Sequence, residues 1–394
     1  MDAQFFSSFR DEVVSIRRDI HMNPELGFQE NRTAALVEAY LQNCGIPTQR
    51  MAGTGVIGTL EGAVPGKTLL LRADMDALPI QEETGLSFAS QTPGVMHACG
   101  HDGHTAMLLV AAKILSGMKD ELAGTIKFVF QPNEEEDGAS FLVREGVLQN
   151  PNVDASFALH LWTPIPSGKI GLQAGPVMGE MFIFKIVLTG RSGHSSAPHN
   201  AKDPILCACS IIQNIQAIQT REISSLDPTT IVVGKINGGT TCNIIPDQVE
   251  IEGTIRYLYD GSDNTPQHPL VRMRRMVEGI AQAYEIGCNL EFIPSSYTVI
   301  NDEKSVSFLA EKVLPQMVDA KDIIPYHCMA GEDFSAFTNH SGIPGALVFI
   351  GTGNSQAGSD VPHHNAKFTI DEDTLLTGVQ FHVTTALEFL RPSP

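Results

Sequence analysis

Long apolar runs are missing from this 394-residue chain; none approaches the ~18 residues that a membrane-spanning helix needs. Basic residues are scarce as well. Lys and Arg total 26 against 45 Asp and Glu, a formal charge of −19. Cationic patches for nucleic-acid phosphates or anionic membranes therefore have little to be built from. The opening Met1-Asp2-Ala3-Gln4-Phe5 lacks the basic-then-apolar layout of a signal peptide. The seven cysteines, at 44, 99, 207, 209, 242, 288 and 328, are odd in number and scattered. That is unlike a disulfide framework and reads as reduced thiols in the cytoplasm. Internal repeats and low-complexity segments are absent too. What remains is a globular composition, 42% hydrophobic and 18% charged, too long for one core, so two domains are expected.

Periodicity predicts a helix over 5–20, buried strands over 68–75, 124–130, 154–162 and 345–350, and a helix over 105–118. Strands alternating with helices indicate an α/β sheet. Asp74, Asp76, Glu134, Glu135 and His160 fall at or just past the C-terminal ends of these strands. Open α/β sheets place their sites at that edge. The rhythm changes between 180 and 295. Strands over 182–189, 229–236, 248–256 and 288–293, with helices over 203–222 and 269–284, follow the β-α-β-β-α-β order of a ferredoxin-like fold. Residues 180–295 thus read as a domain inserted into a larger one made of 1–179 and 296–394.

The chemistry concentrates in Met96-His97-Ala98-Cys99-Gly100-His101-Asp102-Gly103-His104, one thiol and three imidazoles within nine residues. Cys99 and His101 could simply be buried at a helix start. Metal ligation is the stronger reading, because other ligand types recur at the strand ends. His97 and His104 are expected to be structural or supporting, since one compact site cannot take every nearby imidazole. In Gln131-Pro132-Asn133-Glu134-Glu135-Glu136, neighbouring side chains diverge past a buried strand. One Glu can ligate metal while its neighbour moves protons, which suits water activation. His160 stands alone in an apolar strand, where a satisfied core residue is the ordinary reading; its sheet edge favours a ligand. One of His363 and His364 is a further candidate. Gly53-Thr54-Gly55-Val56-Ile57-Gly58 matches a dinucleotide fingerprint, but Gly62, Pro65 and Gly66 follow, so a hairpin is expected there. Ser195-Ser196 beside His194 lacks the Gly-x-Ser-x-Gly elbow of a serine nucleophile. Cys207 and Cys209 lie i, i+2 on a predicted helix and are both read as packing residues.

Taken together, these segments resemble the M20 metallopeptidase family, in its amidohydrolase branch of aminoacylases, hippurate hydrolases and auxin-conjugate hydrolases. The likeness is carried by Arg17-Arg18-x-x-His21-x-x-Pro24-Glu25-Leu26-Gly27, by 72–79, by the Cys/His cluster and by Gln131-Pro132-x-Glu134-Glu135. Gly193-His194, Pro198-His199, Asn243-Ile244-Ile245-Pro246-Asp247 and Gly331-Glu332-Asp333-Phe334 extend it along the chain. The resemblance implies a catalytic domain with a mixed central sheet flanked by helices, and an inserted ferredoxin-like α+β lid that mediates dimerisation. It implies two divalent ions held by Cys99 (bridging), His101, Glu135, His160 and His364. Thiolate ligation favours Zn, while carboxylates admit Mn or Co. Glu134 would be the general base, and Asp76 would hold a ligand or the base in place. His194 would polarise the scissile carbonyl, and Asn243 and Arg256 would meet the substrate's carboxylate; the guanidinium fork of Arg256 suits that task.

Departures from the family pattern are few. His363 stands where Leu is usual and Ala366 where Pro is usual. Asn133 replaces Ala, and Glu136-Asp137 replace glycines, which makes the mouth near Glu134 more acidic. The expected activity is hydrolysis of the amide bond of an N-acyl amino acid or a related small conjugate by a cytoplasmic homodimer. A dipeptidase or carboxypeptidase is the alternative within the class. From a different class, the alternative is a non-catalytic binding protein that keeps the fold; Glu134 and the full ligand set argue against it.

Overall fold

In the computed structural model, residues 3–259 and 268–392 are described, and the chain divides into two compact units. The first takes Met1–Val177, Val299–His327 and Asp333–Pro394; the second takes Met178–Thr298 and Cys328–Glu332. In the first unit the leading strands are β1 (Thr48–Met51), β2 (Gly55–Glu61), β3 (Val64–Asp74), β4 (Ala123–Gln131), β5 (Ala155–Pro166) and β6 (Ile170–Gly171). With Ile323–Ile324 and Gly345–Gly353 they form an eight-stranded mixed sheet in the order β1-β2-β4-β3-β5-(Gly345–Gly353)-β6-(Ile323–Ile324). β3 pairs in parallel with both β4 and β5, so Leu69, Leu70 and Leu71 are covered on both faces, as a central parallel strand requires. β1 and β2 pair antiparallel from Met51↔Gly55, which is the hairpin expected around Gly53.

The flanking helices are α1 (Ala3–Ser7), α2 (Arg10–Met22), α3 (Asn31–Asn43), α4 (His101–Ser116), α5 (Gly138–Arg144) and, last, Leu375–Phe389. The single helix expected over 5–20 is broken at Ser8–Phe9. The Ser7 and Ser8 hydroxyls bond back to the carbonyls of Gln4 and Phe5, competing with helix continuation. α4 begins at His101 rather than 105, so four residues of the Cys/His cluster, His101 to His104, sit on the helix itself. It is buried along most of its length between the sheet and the helices, in a core that includes Leu108, Val110, Leu115, Phe128, Phe157 and Phe381.

In the second unit, strands Glu180–Thr189, Thr229–Gly238, Gln248–Tyr257 and Gly287–Ser296 form an antiparallel sheet. Its order places the first strand between the third and the fourth, with the second outside the third, which is the ferredoxin-like arrangement. Helices Pro204–Ala217 and Pro269–Ala283 pack over Phe184, Ile186, Ile251 and Ile255. The helix expected over 203–222 starts one residue later, because Asp203 caps it by accepting from the Ile205 and Leu206 amides. Its end loosens into a π-helical turn, Ile218–Glu222. Cys207 is buried as expected, but Cys209 is exposed: at i+2 the helix turns it away from the core, so it is not a packing residue.

Candidate metal centre

Gly100, at φ +93°, turns the backbone between Cys99 and the first residue of α4, a conformation that a side chain would strain. The turn lets both Cys99 and His101 reach inward. β4 ends at Gln131, and the Glu134–Glu136 turn follows, entered and left through left-handed Asn133 and Asp137. His160 lies inside β5 rather than at a strand end, because β5 runs on to Pro166. His364, also left-handed at φ +60°, arrives from the loop after Gly345–Gly353.

These segments bring five of the predicted residues together. Donor atoms of Cys99, His101 and His160 lie within 4.8 Å of one another, as do those of Cys99, Glu135 and His364, so Cys99 belongs to both groups. His101, Glu134 and Glu135 form a third such group. Hydrogen bonding fixes how the imidazoles face. His101 Nδ1 donates to the Asp76 carbonyl at 2.9 Å, and His160 Nδ1 to the Leu161 carbonyl at 2.8 Å. A carbonyl only accepts, so each Nε2 carries the lone pair of the neutral ring. His160 Nε2 stands 3.7 Å from Cys99 Sγ. His101 Nε2 is buried without a hydrogen-bond partner, 3.7 Å from Glu134 Oε2, and Glu135 Oε1 lies 3.1 Å from His364 Nε2. A buried nitrogen left orphaned in this way is costly unless a cation meets it.

Proton affinities agree with that reading. Hydrogen bonds to Cys99 and Glu135 push His364 up to about 10. Burial, then Glu135, raises the Cys99 thiol. Burial alone would lower His101, but Asp74 and Cys99 override it and hold it well above the usual imidazole range. The pocket thus gathers protons that a divalent ion displaces on binding. A thiolate, imidazoles and a carboxylate are a donor set for borderline divalent metals, and the residues fit such a pair.

Bonds already made engage two of the other histidines near the centre. His104 Nδ1 meets Asp74 Oδ1 at 2.7 Å, and its Nε2 accepts from the Leu161 amide at 2.9 Å, so neither nitrogen remains for a metal. His363 Nε2 donates to the Leu161 carbonyl at 3.0 Å, and its ring stacks on Trp162 at 4.3 Å. His97 is buried with neither nitrogen bonded, belongs to none of these groups, and is pushed by burial down to about 4. Asp76 accepts from the Glu134 amide at 3.0 Å and the Glu135 amide at 3.2 Å, so one carboxylate holds the turn that presents both acids.

Sequence reasoning missed a buried network beside the centre. The Arg72 guanidinium reaches Gln131 at 2.8 Å, Asp74 at 2.7 Å and Asp333 at 3.0 Å. Burial would raise Asp74, but His101, His104 and Arg72 hold it well below the usual carboxylate range. Arg72 and Asp333 lay within the quoted motifs, and their separation of 261 residues hid the contact.

The remaining candidates belong to the second unit. His194 pairs with Ile244 across a short two-stranded sheet, and the Asn243 carbonyl accepts from the Ser195 amide. His194 Nδ1 accepts from the Ser196 amide at 3.1 Å, which leaves Nε2–H as the donor of the neutral ring. Arg256 is half-buried on Gln248–Tyr257 and donates to the Met329 carbonyl at 2.9 Å.

Comparison with known proteins follows the same lines. The profile of Peptidase family M20/M25/M40 matches residues 70–388. Thermostable carboxypeptidase 2 of Saccharolobus solfataricus is 39% identical over 384 residues, covering 96% of this chain and 95% of its own. N-acetylcysteine deacetylase of Bacillus subtilis is 37% identical over 390 residues, covering 96% and 97%. A crystal structure of a Bacillus subtilis protein, described as a dinuclear metal-binding peptidase of the M20 family, superposes with a TM-score of 0.84 at 34% identity, covering 98% and 99%. With the matched profile spanning most of the chain and the donor groups in place at its sheet edge, this protein belongs to peptidase family M20/M25/M40.

Proposed function

We propose that this protein is a binuclear metal-dependent amidohydrolase that cleaves the amide bond of N-acyl amino acids or related small conjugates. The observation that carries the reading is the two donor groups that share Cys99: Cys99 with His101 and His160, and Cys99 with Glu135 and His364. Zn, Mn and Co all suit this set; the thiolate favours Zn and the carboxylate admits Mn or Co. When bound, the ions supply Lewis acidity, polarising a carbonyl oxygen and acidifying water.

The chain's own groups do the rest. Glu134 takes the proton of the attacking water and hands it to the leaving nitrogen, held at the right height by the Asp76 bond to its amide. His194 offers Nε2–H to the substrate's carbonyl oxygen. Asn243 and Arg256 receive the carboxylate of the amino-acid moiety, Arg256 by its planar fork. The protein works as a homodimer paired through the second unit, in the reducing cytoplasm, where its cysteines stay as the unpaired thiols seen among the described residues. Among those residues no helix is long and apolar enough to cross a membrane.

A second reading is carboxypeptidase action on short peptides, favoured by the likeness to the thermostable carboxypeptidase. The two differ only in what is acylated onto the terminal amino acid. Assaying N-acetyl and N-benzoyl amino acids beside dipeptides, each with Zn, Mn and Co, separates them: the amidohydrolase reading expects the acyl amino acids to turn over faster. Preference for dipeptides would establish the second reading. Ligand binding without any turnover would reduce the protein to a non-catalytic binder.

A further inference from the structure

Residues 79–95 contain no helix or strand, and the isolated bridge Leu78↔Met96 closes them into a loop. Loops this long inside a domain usually have work to do. Glu82 organises this one. Its side chain, 2% exposed, accepts from the Ser90 amide at 2.6 Å and from the Thr84 hydroxyl, and meets His21 Nε2 at 3.4 Å. On its other edge His21 bonds Asp102 through Nδ1 at 2.7 Å, and Arg17 Nε bonds the same Asp102 oxygen at 2.7 Å. Arg17, His21 and Asp102 are fully buried, and Phe88 of the loop covers Arg17 at 5.0 Å and Arg18 at 4.5 Å.

Asp102 is the residue after His101. The residue after Glu82 faces the other way: the Glu83 amide donates to the Ala366 carbonyl at 2.7 Å, two residues past His364. His364 needs such support. Its side chain is 50% exposed, its backbone sits in the left-handed region at φ +60°, and the backbone tie between its loop and the Cys99 segment is its amide's bond to the Ala98 carbonyl at 2.9 Å.

We propose that the loop of residues 79–95 is a strut joining the two ligand-bearing segments, and that Glu82 is a positioning residue that sets His364 relative to Cys99 and His101. Glu82 touches no donor atom of the centre; it acts through His21 and Asp102 on one side and through the Glu83 amide on the other. The inference rests on the metal centre proposed above.

The test uses Glu82→Ala and Glu82→Gln in the full chain, with two readouts. In metal-free protein, hydrogen exchange is followed in residues 79–95 and 363–367, with the second unit's sheet as the internal control. Cobalt(II) titration then follows the thiolate charge-transfer band of Cys99 and the bound stoichiometry. Glu82→Ala is expected to exchange faster in both segments, with the control unchanged, and to bind at least one cobalt equivalent about 10–100-fold more weakly, as loss of an outer support does elsewhere. Glu82→Gln, whose amide oxygen still accepts from Ser90, recovers most of that loss and remains readable if the alanine variant fails to fold. Faster exchange confined to 79–95, or unaltered affinity for both ions in a folded variant, overturns the strut. Wild-type protein that binds no cobalt instead sinks the metal centre itself, and the strut with it.

Discussion

Glu134 and Glu135 are chemically identical neighbours, and only geometry assigns them different work. Glu135 shares a donor group with Cys99 and His364, while Glu134 lies beside His101 Nε2 and is only 8% exposed. Glu134→Gln removes the proposed proton carrier but no member of the two Cys99 groups. Metal content and thermal midpoint should stay at wild-type values while kcat falls by about 10²–10⁴-fold. Turnover near wild type would take Glu134 out of the mechanism. Cys99→Ala should lower bound metal per chain, because both donor groups lose a member, whereas His97→Ala should leave the stoichiometry intact. Elemental analysis giving the opposite order would contradict the ligand assignment. At this scale the sequence left His363 and His364 undivided on residue chemistry alone. The structure separates them through one backbone group, the Leu161 carbonyl, that already occupies His363.

The three-residue turn Glu134–Glu136 is the element on which the proposed chemistry hangs. Asp76 holds its amides from one side, and Gly138 closes it from the other by donating to the Asn133 carbonyl at 2.8 Å. A Cβ at position 138 would lie 1.8 Å from the Pro132 carbonyl oxygen and 2.8 Å from that of Asn133. Both are backbone atoms that cannot swing aside. Gly138→Ala should therefore cost about 1–3 kcal/mol by overpacking and shift both acids. A lowered melting midpoint together with reduced metal affinity would confirm that the turn is rigidly built. Unchanged affinity would show that the two glutamates do not depend on it. Strand and helix identities were legible from apolar runs and helix formers, but their ends were not. Ser7 and Ser8 broke a helix that periodicity alone carried through, and a local hydroxyl–carbonyl bond decided it.

At the scale of the whole molecule, His194 is the residue whose partner site is in question. Symmetric pairing of the second units would deliver it to the other copy's metals. Co-refolding Glu134→Gln with His194→Ala tests this. Acting in trans, each heterodimer has one intact site, and random pairing restores about a quarter of wild-type activity. Acting in cis, every site keeps one lesion. A mixture with heterodimers confirmed present and no activity would reject the trans assignment.

Sequence by itself determined the donor chemistry, the family resemblance and the alternation of strands with helices, because each is written in residue type and short-range spacing. Cys99 and His101 are two residues apart, and Glu134 and Glu135 are adjacent, so their proximity needs no knowledge of the fold. Only the tertiary structure decided which imidazoles remain available. His104 is used up by Asp74 and by the Leu161 amide, 30 and 57 residues away, and Arg72 finds Asp333 across 261 residues. Such pairings depend on which strand ends the sheet order brings side by side, and hydrogen-bond saturation, unlike hydrophobic periodicity, leaves no trace in the spacing of residues along the chain.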